Sequence, residues 1–440
     1  HDAYIEYNIL SPEYFSTNDS IGIWELLSDS DRGKKDIGII KNLDISNLNL
    51  SMGDEIHFWF IAKDQNNLTK SNKFIGKFPT LEDLFTIIEE YEEDNNEWID
   101  DIQESINEIY ETTQETKLDL IKNKDLSIEK EKDIDESLNK VNDIFNELEK
   151  IQENIEKIQE QAEKNNLLDQ DLMEKFDHFQ KLLQDMMTPE LLNAMAKLQE
   201  AMKNLDQDKL LNALENFEFN IEEFETQLDR FIEMFELAQA EQKLDELNQS
   251  IQNMLDKQNT LIDKIISEPE KNKMCSSRAN KQENRFSEFE NLLNEAKDMI
   301  KSISENTSNK INTLANDDIM PSTKDKLNQT TQNLSNNNTD QAQGKAESAK
   351  NNLSDIAEQI NQIKEDFKNE SMQKLTKEFI LIIDNLLTIS NQQENIIQKS
   401  KQIKSNSPHL QEINSEQNDI NRELNQIMKA ILNLSNKTFL

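Results

Sequence analysis

Hydrophobic positions along this chain follow two periods, and the switch between them falls at Pro79. Before it, Ile56, Phe58, Phe60 and Ala62 alternate with His57, Trp59, Ile61 and Lys63, the period of two that a strand requires. Met52-Gly53-Asp54 precedes this run and Asp64-Gln65-Asn66-Asn67 follows it, both with turn chemistry. Residues 37–40 and 74–78 read as further strands. Five of the six glycines (Gly22, Gly33, Gly38, Gly53 and Gly76) fall in this region, which fits a segment rich in tight turns. About four strands predict a truncated immunoglobulin-like β-sandwich over residues 1–79.

Beyond Pro79 the apolar spacing changes to three and four, and a mainly α chain follows. Thr80 is placed to cap the first helix, with Asp83 at its third position. Ile99, Ile102, Ile106 and Ile109 begin a long acidic coiled-coil region, 80–164. Unbroken it would reach about 130 Å, and the polar Lys122-Asn123-Lys124-Asp125 is its weak point. A helical bundle is expected at 165–267. Within it Thr188-Pro189 restarts a helix, Asp206 can cap another, and Phe217, Ile221, Phe224, Leu228, Phe231, Phe235 and Ala238 hold a heptad. The seam then slips by one residue to Leu237, Leu244, Leu247, Ile251 and Met254. Off-seam Phe219, Ile232 and Met234 point to more than one packing neighbour. Glu268-Pro269 opens a polar loop, 268–285, with a local excess of Lys and Arg. A second helical bundle is expected at 286–440, with a mobile Asn/Gln-rich segment near 316–345. It ends in two seams, Leu375 to Ile396 and Ile413 to Leu434, separated by Ser407-Pro408.

Composition narrows the function classes. Of 440 residues only 35% are hydrophobic and 31% are charged, enough for helix seams but thin for several globular cores. The formal net charge of −39 argues against binding nucleic acid or an anionic membrane surface, since both need phosphate neutralised by Lys and Arg. A single cysteine, Cys275, leaves no intrachain disulfide or multi-cysteine metal site. The chain opens at His1 in mid-pattern and reads as a fragment of something longer, so its targeting information is missing.

No constellation for catalysis, cofactor binding or metal binding assembles from the sequence, so the expectation is a protein that is not an enzyme and uses no cofactor. His178 follows Glu174 by four, where a carboxylate-bridged di-metal site uses three, and a surface or boundary histidine is the better reading. Asp29, Asp31 and Gly33 resemble the start of a calcium loop but lack its later ligands. Cys275 sits among Lys, Ser and Arg, which could lower its pKa, yet no base partner is in view. The strongest signal is charge. From Phe78 to Thr116 there is no Lys or Arg, while Glu89, Glu90, Glu92, Glu93 and other acids crowd the first helix. A solvated face is preferred over a docking surface for a basic partner or a weak divalent-cation sink.

The order of several motifs resembles the domain-of-unknown-function 4175 family of bacterial coiled-coil proteins. They are Gly53-Asp54-Glu55, Phe78-Pro79-Thr80-Leu81-Glu82-Asp83-Leu84, the helix Leu191 to Leu205, Gln227-Leu228-Asp229-Arg230 and Ala240-Glu241-Gln242-Lys243-Leu244-Asp245-Glu246-Leu247. Near the end come Ser390-Asn391-Gln392-Gln393-Glu394, Glu416-Gln417 and Lys437-Thr438-Phe439. The resemblance implies a membrane anchor missing from this chain, a bacterial cell-envelope location, and no established catalytic residues. Two roles are expected from it and the helices together. One is a structural scaffold or tether working through protein–protein contacts at helical faces. The other is a sensory or regulatory module relaying a signal from the β-domain to the anchor.

Overall fold

The computed structural model describes residues 2–10, 22–27, 38, 45, 53–64, 66–123, 127–204, 207–402 and 409–437. The protein is mainly helical, with a small N-terminal antiparallel sheet. The strands are β1 (Asp2–Leu10), β2 (Gly22–Glu25), β3 (Glu55–Lys63), β4 (Leu68–Lys70) and β5 (Phe74–Lys77). The helices are α1 (Leu81–Asn123), α2 (Ile128–Asn165), α3 (Gln170–Met186), α4 (Pro189–Asn204), α5 (Gln207–Ser267), α6 (Asn272–Ile300), α7 (Glu305–Ala315), α8 (Ile319–Ser335), α9 (Thr339–Gln402) and α10 (His409–Lys437). They form two compact units. The first holds His1–Glu89, Gln249–Glu290 and Asp317–Ile356; the second holds Glu90–Asn248, Asn291–Asn316 and Ala357–Leu440. The chain passes between the units within α1, α5, α6 and α9.

In the first unit β1 lies between β2 and β3, and β3 also pairs with β4 and β5. The register sets Tyr7 opposite Phe58 and Ile5 opposite Phe60, so the alternation read from the sequence does separate two faces. Trp24, opposite Ile5, stacks on Tyr7 with ring centroids 3.9 Å apart. Gly22 lies under that Tyr7 ring, where any Cβ would collide with it. Gly53 takes φ 82° and donates its N–H to the Phe78 carbonyl at 3.1 Å, tying the entry of β3 to the exit of β5. The expected strand at 37–40 (Gly38 apart) and the Asp29, Asp31 and Gly33 group lie outside the described residues, as do Asp206 and Ser407-Pro408.

The cap of α1 is reciprocal. Thr80 Oγ1 accepts from the Asp83 N–H at 3.1 Å, and Asp83 Oδ2 accepts from the Thr80 N–H at 2.9 Å. The Thr188 hydroxyl caps α4 in the same manner, accepting from the Leu191 N–H at 3.2 Å, and Pro189 is the first residue of that helix.

In the second unit the acidic region doubles back at the predicted weak point: α1 stops at Asn123 and α2 starts at Ile128. Lys130 meets Glu115 at 2.7 Å, Lys140 pairs with Glu108, and Lys150 and Lys157 lie over the rings of Trp98 and Tyr91. Rising numbers on one helix meet falling numbers on the other, so the pair is antiparallel. The core of this unit includes an aromatic cluster, with Phe179 edge-on to Phe231 and Phe235, which stack on each other.

Two expectations are corrected. The loop at 268–285 shrinks to one 3-10 turn, Pro269–Lys271, after which α6 begins. Small buried residues hold this helix: Cys275 and Ala279 cluster with Leu261, Ile265, Leu334, Ala342 and Ala346. Such a seam lets helices approach closely while contributing little to a hydrophobicity count. Likewise 316–345 forms α8 and the start of α9. Thr323 and Thr330 are buried there because their hydroxyls donate back to the Ile319 and Lys326 carbonyls at 2.6 and 2.8 Å, satisfying the polar group inside its own helix.

Candidate functional site

Helix α5 is enclosed on all sides between Gln239 and Asp245, where Gln239, Glu241, Gln242, Lys243 and Asp245 are all buried alongside Ala240 and Leu244. Buried charge is costly unless it is paired, and here the pairs come from neighbouring helices of the second unit. Asp245 pairs with Lys364 of α9, and Glu241 with Lys175 of α3. Asp169, just before α3, takes Lys368 of α9 at 2.8 Å and Lys364 at 3.2 Å. Lys368 also lies 3.6 Å from Asp171, and Lys243 lies 2.9 Å from Glu246. The result is an ionic knot joining α3, α5 and α9.

Asp169 has two tasks, since its Oδ1 also caps α3 by accepting from the Leu172 N–H at 2.9 Å. Burial works against its charge, but the lysines and this backbone donor outweigh that and hold it at about 2. Glu241 and Asp245 shift the other way, because deeper burial pushes both above the usual carboxylate range despite Lys175 and Lys364. For Lys364 and Lys368 burial opposes the charge, yet the surrounding carboxylates raise both.

A sequence reading passes over this knot because Ala240 to Leu247 carries polar residues where an amphipathic helix would face water. One signal is present: the one-residue slip of the seam between Ala238 and Leu244. A seam that changes phase turns the helix toward different neighbours. Of the off-seam residues, Met234 is buried, Ile232 is half-buried and Phe219 is exposed.

The residues singled out from the sequence do not converge. Cys275 is buried in the first unit and burial pushes its thiol up, the reverse of the activation its cationic surroundings suggested. Of the cations in that segment, Arg278, Lys281 and Arg285 of α6 line one groove together with Lys257 of α5. Desolvation lowers Lys257 and Lys281 there, and brings Arg285 to about 10. His178 is half-buried on α3, and its neighbour Glu174 is exposed. Of the acidic face on α1, Glu90 and Glu93 are exposed, Glu89 is half-buried, and Glu92 is buried. A groove lined by Asp101, Glu104, Glu108, Asp143 and Glu147 follows, with Lys140 and Lys150 set into it. No group of three or more His, Cys, Asp or Glu side chains able to hold a metal occurs among the described residues.

One pair imitates a nucleophile and its base: Ser304 Oγ donates to Glu370 Oε2 at 3.0 Å, beside a groove of about 360 Å³ lined by Met234, Leu237, Ile303, Phe367 and Leu375. Ser304 is, however, the cap of α7, accepting from the Thr307 N–H at 3.1 Å. A hydroxyl committed to a helix end has a structural duty. No helix among the described residues is long and apolar enough to cross a membrane. Compared with protein-family models, curated proteins and solved structures, the chain finds no match in any of the three.

Proposed function

We propose that this chain is a non-enzymatic scaffold or tether of a bacterial cell envelope that acts through helix packing and protein–protein contacts. The ionic knot carries this reading. Its buried charges are spent across α3, α5 and α9 on one another, a use that fixes which helices pair and in what register. The envelope location and an anchor outside this chain rest on the family resemblance alone. In the same reading the sheet is one layer of an immunoglobulin-like sandwich. Tyr7, Trp24, Phe58, Phe60 and Phe74 form an apolar face on which Phe60 and Phe74 stay exposed, as a layer awaiting its second would be. The long heptad helices are read as coiled coils.

The test is capture from solubilised bacterial envelopes with this chain as bait. A saturable partner retained at physiological salt supports a scaffold, and its consistent failure to appear sinks it. The acidic face of α1 is read as solvated, so Glu90→Lys with Glu93→Lys should leave both capture and melting intact. Loss of the partner from that reversal alone would convert the face into the docking site. The alternative role, relaying a signal from the sheet, is favoured by one observation: α1, α5, α6 and α9 each contribute to both compact units.

A further inference from the structure

The last two helices leave an apolar face uncovered. The seam between α9 and α10 consists of Ile382, Ile389 and Ile396 against Ile420, Ile427 and Leu434, each set spaced by seven. Gln393 and Gln417 exchange reciprocal hydrogen bonds of 2.9 Å, and Lys399 reaches Glu416 at 2.6 Å, which makes the pair antiparallel. With the seam counted as heptad position a, Phe379, Ile380, Ile383 and Leu387 of α9 fall at e, f, b and f. On α10, Leu424 and Ile431 fall at e and Met428 at b. A local two-fold axis perpendicular to an antiparallel pair carries the e and b positions of one helix onto those of the other on the same side. These seven residues therefore share one face of the hairpin, and they are between 37% and 58% exposed. The opposite face, positions d and g, carries Asn385, Gln392, Asp419, Glu423 and Gln426, with Leu381 its apolar exception.

We infer that this face is where a second copy of the chain packs, two hairpins closing into a four-helix bundle. Area supports that occupant. Seven half-exposed large side chains offer about 600–700 Å² per copy, so a symmetric pair would bury about 1,300 Å², within the ~1,200–2,000 Å² of a specific interface. Charge supports it as well. A chain of net charge −39 repels its own copies over most of its length, but residues 371–437 hold eight Lys or Arg against seven Asp or Glu. Identical surfaces can meet there without like-charge repulsion. The Gln393–Gln417 pair sets one polar contact into the apolar hairpin, a means of fixing register between its two helices.

This inference goes beyond the scaffold role, and its failure would leave that role to its own capture experiment. The test is light scattering of the full chain at micromolar concentrations, where twice the 51.3 kDa chain mass is expected. Ile383→Glu, Leu387→Glu and Met428→Glu together should halve the mass while the helical circular dichroism is kept. A wild-type monomer, or a triple variant that stays dimeric, overturns the inference. Should the triple variant lose helicity, cysteines placed singly in a Cys275→Ser chain decide: with a bis-maleimide, Met428→Cys should cross-link into dimers and Asp419→Cys on the opposite face should not. Equal cross-linking from both faces overturns it. So does a monomer that floats with phosphatidylcholine vesicles, which would make the occupant a lipid surface.

Discussion

The stripe on α5 from Phe217 to Ala238 and the stripe on α9 from Ile382 to Ile396 have the same heptad spacing, yet they meet different surroundings. Leu228, Phe231 and Phe235 are entirely inaccessible to water, whereas each seam residue of the α9–α10 hairpin keeps a small exposed fraction. Around the first stripe even Glu241, Lys243 and Asp245 are buried. Around the second, Phe379 and Leu387 are exposed. Spacing thus says which residues face a neighbour, and the number of neighbours says how dry that contact becomes. One helix can cover only one side of another. Where several close in, polar positions are swept inside and must be paired.

The largest effect expected from breaking this contrast is that of Phe224→Asp, which sets a carboxylate into the buried α5 stripe. It should cost about 4 kcal/mol or more, read from urea unfolding. An unchanged midpoint would show that the stripe is not a core. Next comes Lys364→Met, which strips Asp245 of its cation and should cost about 3–5 kcal/mol. Adding Asp245→Leu should restore most of that, and a double-mutant cycle with no coupling would dismiss the knot as a unit.

Ile389→Ala tests the other side of the comparison. Its loss should be about 2 kcal/mol, at the low end for a deleted isoleucine because water already reaches the seam. Hydrogen exchange should quicken in α10 and stay slow in the buried stretch of α5. Quickening in both would mean that the two regions unfold together.

The smallest effect is a pH response of the knot. Asp169 is held at about 2 against an ordinary value of 3.8, so its contribution to stability is complete above about pH 4 and is lost as the pH falls toward 2. Glu241 and Asp245 are raised, which has the opposite sign: stability falls as the pH climbs from the ordinary carboxylate range through their higher folded values. Asp169→Asn should flatten the acid limb of the urea midpoint, and Asp245→Asn the limb above pH 4. If neither limb changes, these carboxylates do not govern the titration.

Local rules carried much of the fold into the sequence. Thr80 with Asp83 and Thr188 with Pro189 end up as caps because capping needs only groups within one turn. The alternation from Ile56 to Lys63 became β3, and the polar run after Lys122 became the break between α1 and α2, for equally local reasons. Tertiary structure decided the rest. Cys275, Ala279, Ala342 and Ala346 form a seam only when brought together, because small residues gain their value from close approach and not from hydrophobicity. Glu92 looks like its acidic neighbours until α1 finds its place, where it is buried. The knot is the clearest case: Asp169, Glu241, Asp245 and Lys364 are unremarkable helix residues in the sequence. Their meaning comes from a desolvation cost that exists only once three helices exclude water and that partners nearly 200 positions away offset.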